Sequence, residues 1–207
     1  MTPVIDRKER EFERREGEIL AAALSLFNRD DWQSVTIDQI AAKAEIGKGT
    51  VYKHFESKDQ IYAKLVLEFH RGIITEIANI DRTRPPLEVL GATLDAFWRG
   101  HNSKSEYKRL VRYCRREDFH SIIGPELSKE LEQLDEQIMG LLVPVFERGI
   151  REGVILDKPV PALILGVHAA MVGLMEMEGV ECMETGMTQE EQYQEVKAFA
   201  LRGISRG

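Results

Sequence analysis

Four side chains that can donate hydrogen bonds lie close together in the stretch IGKGTVYKHFESKDQIY, residues 46–62: Lys48, Thr50, Lys53 and His54. Ammonium, hydroxyl and imidazole groups of this kind bind phosphate oxygens and the edges of bases. The helix that would carry them is too short to be stable alone. Neighbouring elements must therefore hold one of its faces.

The cysteines and histidines offer a second kind of chemistry, nucleophilic or metal-binding. Cys114 and Cys182 occur without CxxC spacing, and His101, His120 and His168 share no spacing typical of a metal site. The chain also lacks a nucleophile elbow, a P-loop and a dinucleotide motif. We therefore expect no metal, no cofactor and no catalytic residue. A small all-helical enzyme that uses Cys114 or His168 is the weaker alternative.

Composition and charge restrict the class of protein. The 207 residues are 43% hydrophobic, and the formal net charge is -7. Such a charge excludes a protein that coats nucleic acid indiscriminately, although it allows a local basic patch. Residues 7–16, RKEREFERRE, have no apolar core and exclude a signal peptide. The longest apolar run, residues 160–175, is shorter than the roughly 20 residues of a membrane span, so we expect a cytoplasmic protein with no membrane partner.

Two capping boxes mark helix starts around the donor cluster. Thr36 and Gln39 are spaced so that each side chain can bond the other residue's backbone N–H, and Ser57 and Gln60 repeat the pattern. A longer helix comes first, and its apolar face consists of Ile19, Leu20, Ala23, Leu24 and Phe27.

The helix opened by Thr36, a turn containing Gly47 and a short helix from Lys48 to Phe55 form a helix-turn-helix, whose last helix reads DNA in the major groove. Gly47 is predicted to take the left-handed conformation of the turn. Because successive helix residues are about 100° apart, Val51 and Phe55 face the first two helices. The residues that point outward or flank that outer face are Lys48, Gly49, Thr50, Tyr52, Lys53 and His54.

Beyond residue 62 the apolar periodicity predicts longer helices and no strand. Proline pairs and glycine-proline steps separate these helices. One predicted helix covers residues 107–119, an apolar helix follows residue 159, and an amphipathic helix covers 189–202. We therefore predict an all-α fold.

The residues from Thr36 to Tyr62, TIDQIAAKAEIGKGTVYKHFESKDQIY, closely resemble the DNA-binding signature of the tetracycline-repressor (TetR) family. The resemblance implies a homodimer that binds double-stranded operator DNA and a largely apolar small-molecule effector. It implies a three-helix DNA-binding domain over residues 1–62 and a helical effector-binding and dimerisation domain over 63–207. Gly47 stands where many members have serine, so that side chain offers no phosphate contact. By position in the signature, the DNA-contact residues are Thr36, Lys48, Gly49, Thr50, Tyr52, Lys53, His54 and Lys58.

Two residue sets in the second part are candidates for dimerisation and effector binding. Small residues repeat along the apolar helix at a spacing that permits close approach of another helix, although packing within one chain is an alternative. With the last helix, they give a predicted dimer interface of Gly166, Ala170, Gly173, Tyr193, Val196, Phe199 and Ala200. Adaptable and polar side chains, which could equally fill the core, give a predicted effector pocket of Trp98, Tyr113, Cys114, His168, Met171 and Met175.

The leading hypothesis is a ligand-responsive transcriptional repressor, whose effector shifts the dimer to a state that no longer fits a palindromic operator. In an alternative, a protein partner replaces the small molecule and contacts acidic residues: Glu176, Glu178, Glu181, Glu184, Glu190 and Glu191. The basic residues of the N-terminal arm could enter a minor groove, but interspersed glutamates favour a solvated helix. Those basic residues are Arg7, Lys8, Arg10, Arg14 and Arg15.

Overall fold

The computed structural model describes residues 7–27, 31–103, 105–114, 118–177 and 186–206. Helices account for most of these residues, and none of them lies in a β-strand; Ile155 and Ser205 form an isolated antiparallel bridge. The predicted all-α fold is confirmed. Across the same residues, no helix combines the length and the apolar character that crossing a membrane requires.

The α-helices of the described residues are between 4 and 27 residues long. In chain order they are α1 (Arg7–Phe27), α2 (Ile37–Lys43), α3 (Lys48–Val51), α4 (Lys58–Ala78), α5 (Pro86–Asn102), α6 (Ser105–Cys114), α7 (Phe119–Ile123), α8 (Pro125–Arg151), α9 (Val160–Glu176) and α10 (Gln189–Ile204). A 3₁₀ turn over Trp32–Ser34 precedes α2. Of the helix predicted over residues 107–119, residues 107–114 lie in α6 and Phe119 begins α7, while residues 115–117 fall outside the described residues.

Two compact units make up the chain. The first contains residues 1–71 and 101–134, and the second contains residues 72–100 and 135–207. The sequence predicts a different kind of boundary, after residue 62, between a DNA-contacting domain and an effector-binding domain. That division by function stays a prediction.

The core of the first unit includes a cluster of aromatic rings. The Tyr62 ring lies 4.5 Å from that of Phe27 and 4.8 Å from that of Tyr113, in edge-to-face contacts. Tyr113 donates a hydrogen bond of 2.7 Å to Asp59 Oδ1. The phenol of Tyr62 is buried, and this burial raises its pKa.

The second unit is centred on α5, α9 and α10. Trp98 stacks on Tyr193 with ring centres 4.6 Å apart, and the Tyr193 hydroxyl donates to Asp95 Oδ1 over 2.5 Å. Lys197 Nζ donates to the same oxygen over 2.6 Å. Burial acts to raise the pKa of Asp95, but the hydrogen bonds from Lys197 and Tyr193 outweigh it and lower that pKa. These contacts join α5 to α10.

The turn between α2 and α3 differs from the predicted one. Glu45, not Gly47, takes the left-handed conformation, with φ of 56°, while Gly47 is extended at φ of -73°. The N–H of Ile46 donates to Ala41 O over 3.0 Å and that of Glu45 to Ala42 O over 3.2 Å. This pair of bonds is a Schellman motif, which places the left-handed residue two positions before Gly47.

Candidate nucleic-acid interface

Buried apolar residues fix the orientation of the short helix α3. Val51 is fully buried and Phe55 is 5% exposed, and Ile40 of α2 is fully buried in the same unit. α2 packs against both α1 and α3. The prediction that Val51 and Phe55 face inward is confirmed, and Tyr52 and Lys53 between them are exposed, whereas His54 is half-buried.

α3 is shorter than predicted, although its helical turn continues. The regular α-helix ends at Val51 rather than Phe55. After it, the backbone N–H groups of Lys53 and His54 donate to carbonyls three residues back, over 3.2 and 3.0 Å, instead of four. Phe55 N–H then returns to the four-residue spacing by bonding Val51 O over 2.9 Å. This tightening turns the chain toward α4.

The outer face of α3 and its continuation is polar and accessible. Lys48, Gly49 and Lys53 are exposed, Tyr52 is 49% exposed, and Thr50 is half-buried. A Cβ atom placed on Gly49 would meet no heavy atom within 4 Å. A backbone that is open at this point can approach a duplex closely.

Lys48 is engaged by a carboxylate of the preceding helix. Its Nζ lies 2.7 Å from Asp38 Oδ2 in α2, and both side chains are largely exposed. The hydrogen bond from Lys48 to Asp38 raises the lysine pKa, although slight burial opposes this. Sequence reasoning missed Asp38, because the two residues are ten positions apart on separate helices.

Thr36 occupies the N-cap of α2, as predicted. Its Oγ1 accepts from Gln39 N over 3.3 Å, and Gln39 Oε1 accepts from Thr36 N over 2.9 Å, which confirms the first capping box. At the second predicted box, Ser57 Oγ accepts from Gln60 N over 3.2 Å. Gln60 Oε1, however, accepts from Glu56 N rather than from Ser57 N, so this box is shifted by one residue.

Lys58, the first residue of α4, points back toward the segment before α2. Its Nζ donates to Gln33 O over 2.7 Å and to Val35 O over 3.0 Å. Burial lowers the pKa of Lys58, although the charge of Asp59 opposes this. The lysine is therefore held by backbone oxygens of its own chain.

His54 packs beneath α1. Its ring centre is 4.0 Å from that of Phe12, and its Nδ1 is buried without a hydrogen-bond partner in the described part of the chain. Burial lowers the pKa of His54; Glu16 acts in the opposite direction, while Arg15 and Lys53 lower it further.

A cavity of about 540 Å³ adjoins His54 in the first unit. Four carboxylates and two ammonium groups line it, together with apolar residues of α7 and α8. Lys64 Nζ lies 3.6 Å from Glu16 Oε1 and 3.7 Å from Glu130 Oε2, so part of this charge is internally compensated.

The six predicted effector residues fall into two groups, one in each unit. Trp98 and Met171 are buried in the second unit, with Met175 packed against them, and Trp98 Nε1 donates to Glu190 Oε2 over 3.3 Å. His168 is exposed on α9. Tyr113 and Cys114 pack around Phe119 and Ile123 in the first unit.

The predicted dimer residues differ in exposure. Gly166, Gly173 and Phe199 are exposed, Ala170 and Val196 are half-buried, and Tyr193 and Ala200 are buried within the chain. Phe199 is 69% exposed, and Leu165, which the sequence did not single out, is 67% exposed. A leucine in a continuous apolar run gives no signal of its direction.

Some sequence-based hypotheses fall outside the described residues, namely those that concern Cys182, Glu178, Glu181 and Glu184. Within the described ranges, histidine, cysteine, aspartate and glutamate side chains form no group of three or more that could hold a metal ion.

Comparison with known proteins links this geometry to one family of domains. Residues 19–65 match the family model described as bacterial regulatory proteins, tetR family. The matched segment runs from the middle of α1 into α4 and contains the whole helix-turn-helix.

Three relatives extend the similarity beyond that domain. The HTH-type transcriptional repressor KstR2 of Mycobacterium tuberculosis is 26% identical over 150 residues, which cover 72% of this chain and 73% of KstR2. The crystal structure of a TetR transcription regulator from Haloarcula marismortui has a TM-score of 0.73 at 17% identity, and covers 94% of this chain and 100% of that one. The structure of RolR in complex with resorcinol has a TM-score of 0.62 at 15% identity, with 96% and 91% covered.

Proposed function

We propose that this chain, whose residues 19–65 match the family model of tetR bacterial regulatory proteins, is a TetR-family repressor that binds a palindromic operator as a homodimer and leaves it when a small molecule binds. The observation that carries the proposal is the outer face of α3, where Lys48, Gly49 and Lys53 are exposed above a fully buried Val51. Repression itself rests on similarity to KstR2, whose name describes a transcriptional repressor.

In the proposed complex, α3 and the turn after it enter the major groove. Lys53 reaches a guanine edge or a phosphate, and the Thr50 hydroxyl bonds a phosphate or its methyl group contacts a thymine. Tyr52 and the accessible part of the half-buried His54 face the two sugar-phosphate backbones, Thr36 contacts a phosphate from α2, and Gly49 admits the duplex. Lys48 takes part by exchanging its Asp38 partner for a phosphate.

The proposed dimer forms through the exposed apolar face of α9 and α10. Leu165, Gly166 and Gly173 on α9 and Phe199 on α10 are exposed, and the two helices pack against each other in the second unit. Two such pairs of helices would make a four-helix interface. A twofold axis then presents two recognition helices to half-sites about one helical turn apart.

The proposed effector site lies around Trp98, Met171 and Met175. Methionine side chains adapt to ligand shape, and the indole offers a flat apolar surface. The resorcinol complex of RolR supports an aromatic effector for a protein of this fold. Because α5, α9 and α10 all contribute to this core, a ligand there would act on the helices of the proposed dimer interface.

The proposal assigns no catalytic step to the protein. Cys114 is half-buried and packs in an apolar cluster of the first unit, whereas His168 is exposed on α9 of the second. A protein partner in place of the small molecule remains the second candidate, since Glu190 and Glu191 are exposed at the start of α10.

Selection from fragmented genomic DNA tests the proposal. The purified protein is incubated with fragments at about 0.15 M salt, where specific complexes exceed non-specific ones, and the retained DNA is sequenced. We expect enrichment of a palindrome with half-sites about one helical turn apart. Two results would contradict the proposed operator binding. One is that the retained fragments share no sequence; the other is that the folded protein retains no fragment, whether cell extract is present or absent.

The effector is then sought by release of the protein from the retained duplex. Small aromatic compounds, resorcinol included, are added one by one, and Met171→Ala is compared with wild type. We expect a compound that releases the wild-type protein from the duplex to be needed at a higher concentration to release Met171→Ala. Release by cell extract that survives removal of small molecules would instead favour the protein partner.

A further inference from the structure

Lys58, the first residue of α4, contacts backbone carbonyls of its own chain, whereas Lys53 is exposed on the helix-turn-helix. We propose that Lys58 is a positioning residue for DNA binding: its ammonium group anchors the segment Gln33–Val35, and this anchor sets the place of Thr36 and of the helix pair α2 and α3. The inference rests on the proposed operator binding and concerns how this surface is held in shape.

Two hydrogen bonds place the Lys58 ammonium between two peptide carbonyls. Nζ lies 2.7 Å from Gln33 O and 3.0 Å from Val35 O, residues 25 and 23 positions earlier in the chain. The two carbonyls flank Ser34, the last residue of the 3₁₀ turn. One side chain therefore ties the first residue of α4 to the backbone that leads directly into α2.

An aromatic ring completes the surroundings of the ammonium group. Nζ lies 5.5 Å from the ring centre of Tyr62, a distance at which a cation is attracted to an aromatic face. Tyr62 is itself fully buried and contacts Trp32, with 5.8 Å between ring centres. Trp32 belongs to the same 3₁₀ turn, so ring packing and hydrogen bonds hold the same segment.

The local electrostatics explain why this lysine turns inward. An ammonium group on the first residue of a helix faces the positive end of the helix dipole, which is unfavourable unless acceptors compensate it. The carbonyls of Gln33 and Val35 supply this compensation. Two of the three ammonium N–H groups are thereby used within the chain, whereas Lys53 is exposed on the outer face of the recognition turn.

The anchored segment bears directly on the DNA surface. Val35 is 2% exposed, and the next residue, Thr36, caps α2. α2 packs against α3, so a shift of the segment would move the Thr36 hydroxyl and α3 together. Without its anchor, the helix pair would lose the geometry that lets several contacts form at once.

Lysine modification of the wild-type protein tests the anchor without a mutation. Reductive methylation with isotope-labelled formaldehyde is measured by mass spectrometry, with and without the duplex recovered from genomic DNA. We expect Lys58 to react slowly in both states, while Lys53 reacts quickly alone and slowly with DNA. Rapid reaction of Lys58 that DNA then suppresses would overturn the proposal, and Lys53 protection reports DNA binding independently.

A pair of matched variants separates positioning from phosphate contact. Lys58→Met keeps the side-chain length and removes the donors, and Lys53→Met makes the same change on the exposed surface. For Lys58→Met at a temperature where it is folded, we expect roughly tenfold weaker binding with an unchanged salt dependence. If Lys53 contacts a phosphate, Lys53→Met should reduce the magnitude of the slope of log K against log salt by about one for each phosphate contact that is lost.

Two results with Lys58→Met would overturn the assignment. A salt slope that shrinks as much as in a phosphate-contact variant would show that Lys58 binds DNA directly. Unchanged affinity in the folded variant would show that the anchor serves stability alone. Faster amide exchange at Val35 and Thr36 in the free variant, together with the weaker binding, is the supporting result.

Discussion

Lys48 and Asp38 illustrate how single residues tune the proposed DNA surface. Their oxygen and nitrogen atoms are 2.7 Å apart, but both side chains are more than 45% exposed, so water and salt weaken the pair. In the proposed complex a DNA phosphate would compete for the same ammonium, and the Asp38 carboxylate would repel the duplex. We therefore expect Asp38 to limit binding to arbitrary sequences.

Asp38→Asn should therefore strengthen binding to any duplex, by roughly two- to fivefold at low salt. Asp157→Asn, an equal change of charge on an exposed residue of the second unit, is the control. Fluorescence anisotropy with an arbitrary duplex and with the selected one measures both affinities. Equal affinities of Asp38→Asn and wild type would show that Asp38 does not compete for Lys48.

His54 is expected to make the stability of the first unit depend on pH. Burial under Phe12 lowers its pKa below the ordinary value of 6.5, so the unfolded chain takes up the proton first. Stability contributed by the neutral ring is therefore present above about pH 6.5 and is lost as the pH falls toward the lowered pKa.

The unfolding free energy of wild type should fall between about pH 7 and pH 5.5 more steeply than that of His54→Gln. Urea unfolding at several pH values measures the difference. His120→Gln, which removes an exposed histidine of α7, is the matched control. Identical slopes for wild type and His54→Gln would exclude this role of the half-buried His54 ring.

At the scale of helices and turns, short sequence patterns correctly predicted features that depend on hydrogen bonds and packing between residues close in the chain. The Thr36 box and the inward face of Val51 follow from spacing within a few residues, and both are confirmed. The sequence predicts the left-handed residue at Gly47, because glycine adopts that conformation most easily. In the structure, the Schellman bonds of α2 require it at Glu45, so the length of the preceding helix decides the position.

Contacts between residues far apart in the chain could not be predicted from the sequence. Lys58 stands at a motif position associated with DNA binding. Its carbonyl partners lie 23 and 25 residues away, and they belong to a 3₁₀ turn and the residue after it, which no sequence pattern indicated. The bond between Tyr193 and Asp95 is similar, since its partners are 98 residues apart. Such pairs exist only after the helices have packed.

Two glycines in α8 give a matched test of helix packing. A Cβ on Gly149 would lie 2.6 Å from Cγ1 of Ile155 and 3.2 Å from Cβ of Pro86, whereas one on Gly140 would meet nothing within 4 Å. Gly140→Ala should raise the unfolding free energy by up to about 1 kcal/mol through helix propensity. Gly149→Ala should lower it by about 1 to 2 kcal/mol through overpacking. Chemical denaturation checks both, and a stabilised Gly149→Ala would contradict this packing.

For the whole molecule, the exposed apolar face of α9 and α10 underlies the proposed dimer. Phe199→Glu should be monomeric at concentrations where wild type is a dimer, and its operator affinity should fall because only one half-site is held at a time. Met139→Glu makes the same kind of change on an exposed residue of α8. Sedimentation velocity distinguishes the species. A dimeric Phe199→Glu protein would place the interface elsewhere.

The sequence indicated a family for the helix-turn-helix segment more readily than it indicated residues of an effector site. The motif lies within a continuous segment, so a short stretch carried the recognition. An effector site draws residues from separate helices, and the six candidates chosen by type fell into two units. Residue type alone does not determine which side of a helix meets a ligand.

The salt dependence of duplex binding tests the central claim, a dimer that reads DNA with α3, most directly. Affinity of wild type and Lys53→Ala for the selected palindrome is measured from about 0.05 to 0.3 M salt, with Lys158→Ala as the control outside the helix-turn-helix. For on the order of 6 to 10 contacted phosphates, the slope of log K against log salt should be about -5 to -9. Lys53→Ala should weaken binding by roughly 1 to 3 kcal/mol if Lys53 reads a base, whereas Lys158→Ala should match wild type. Equal affinities of wild type and Lys53→Ala, or a slope near zero, would contradict recognition of DNA by this face.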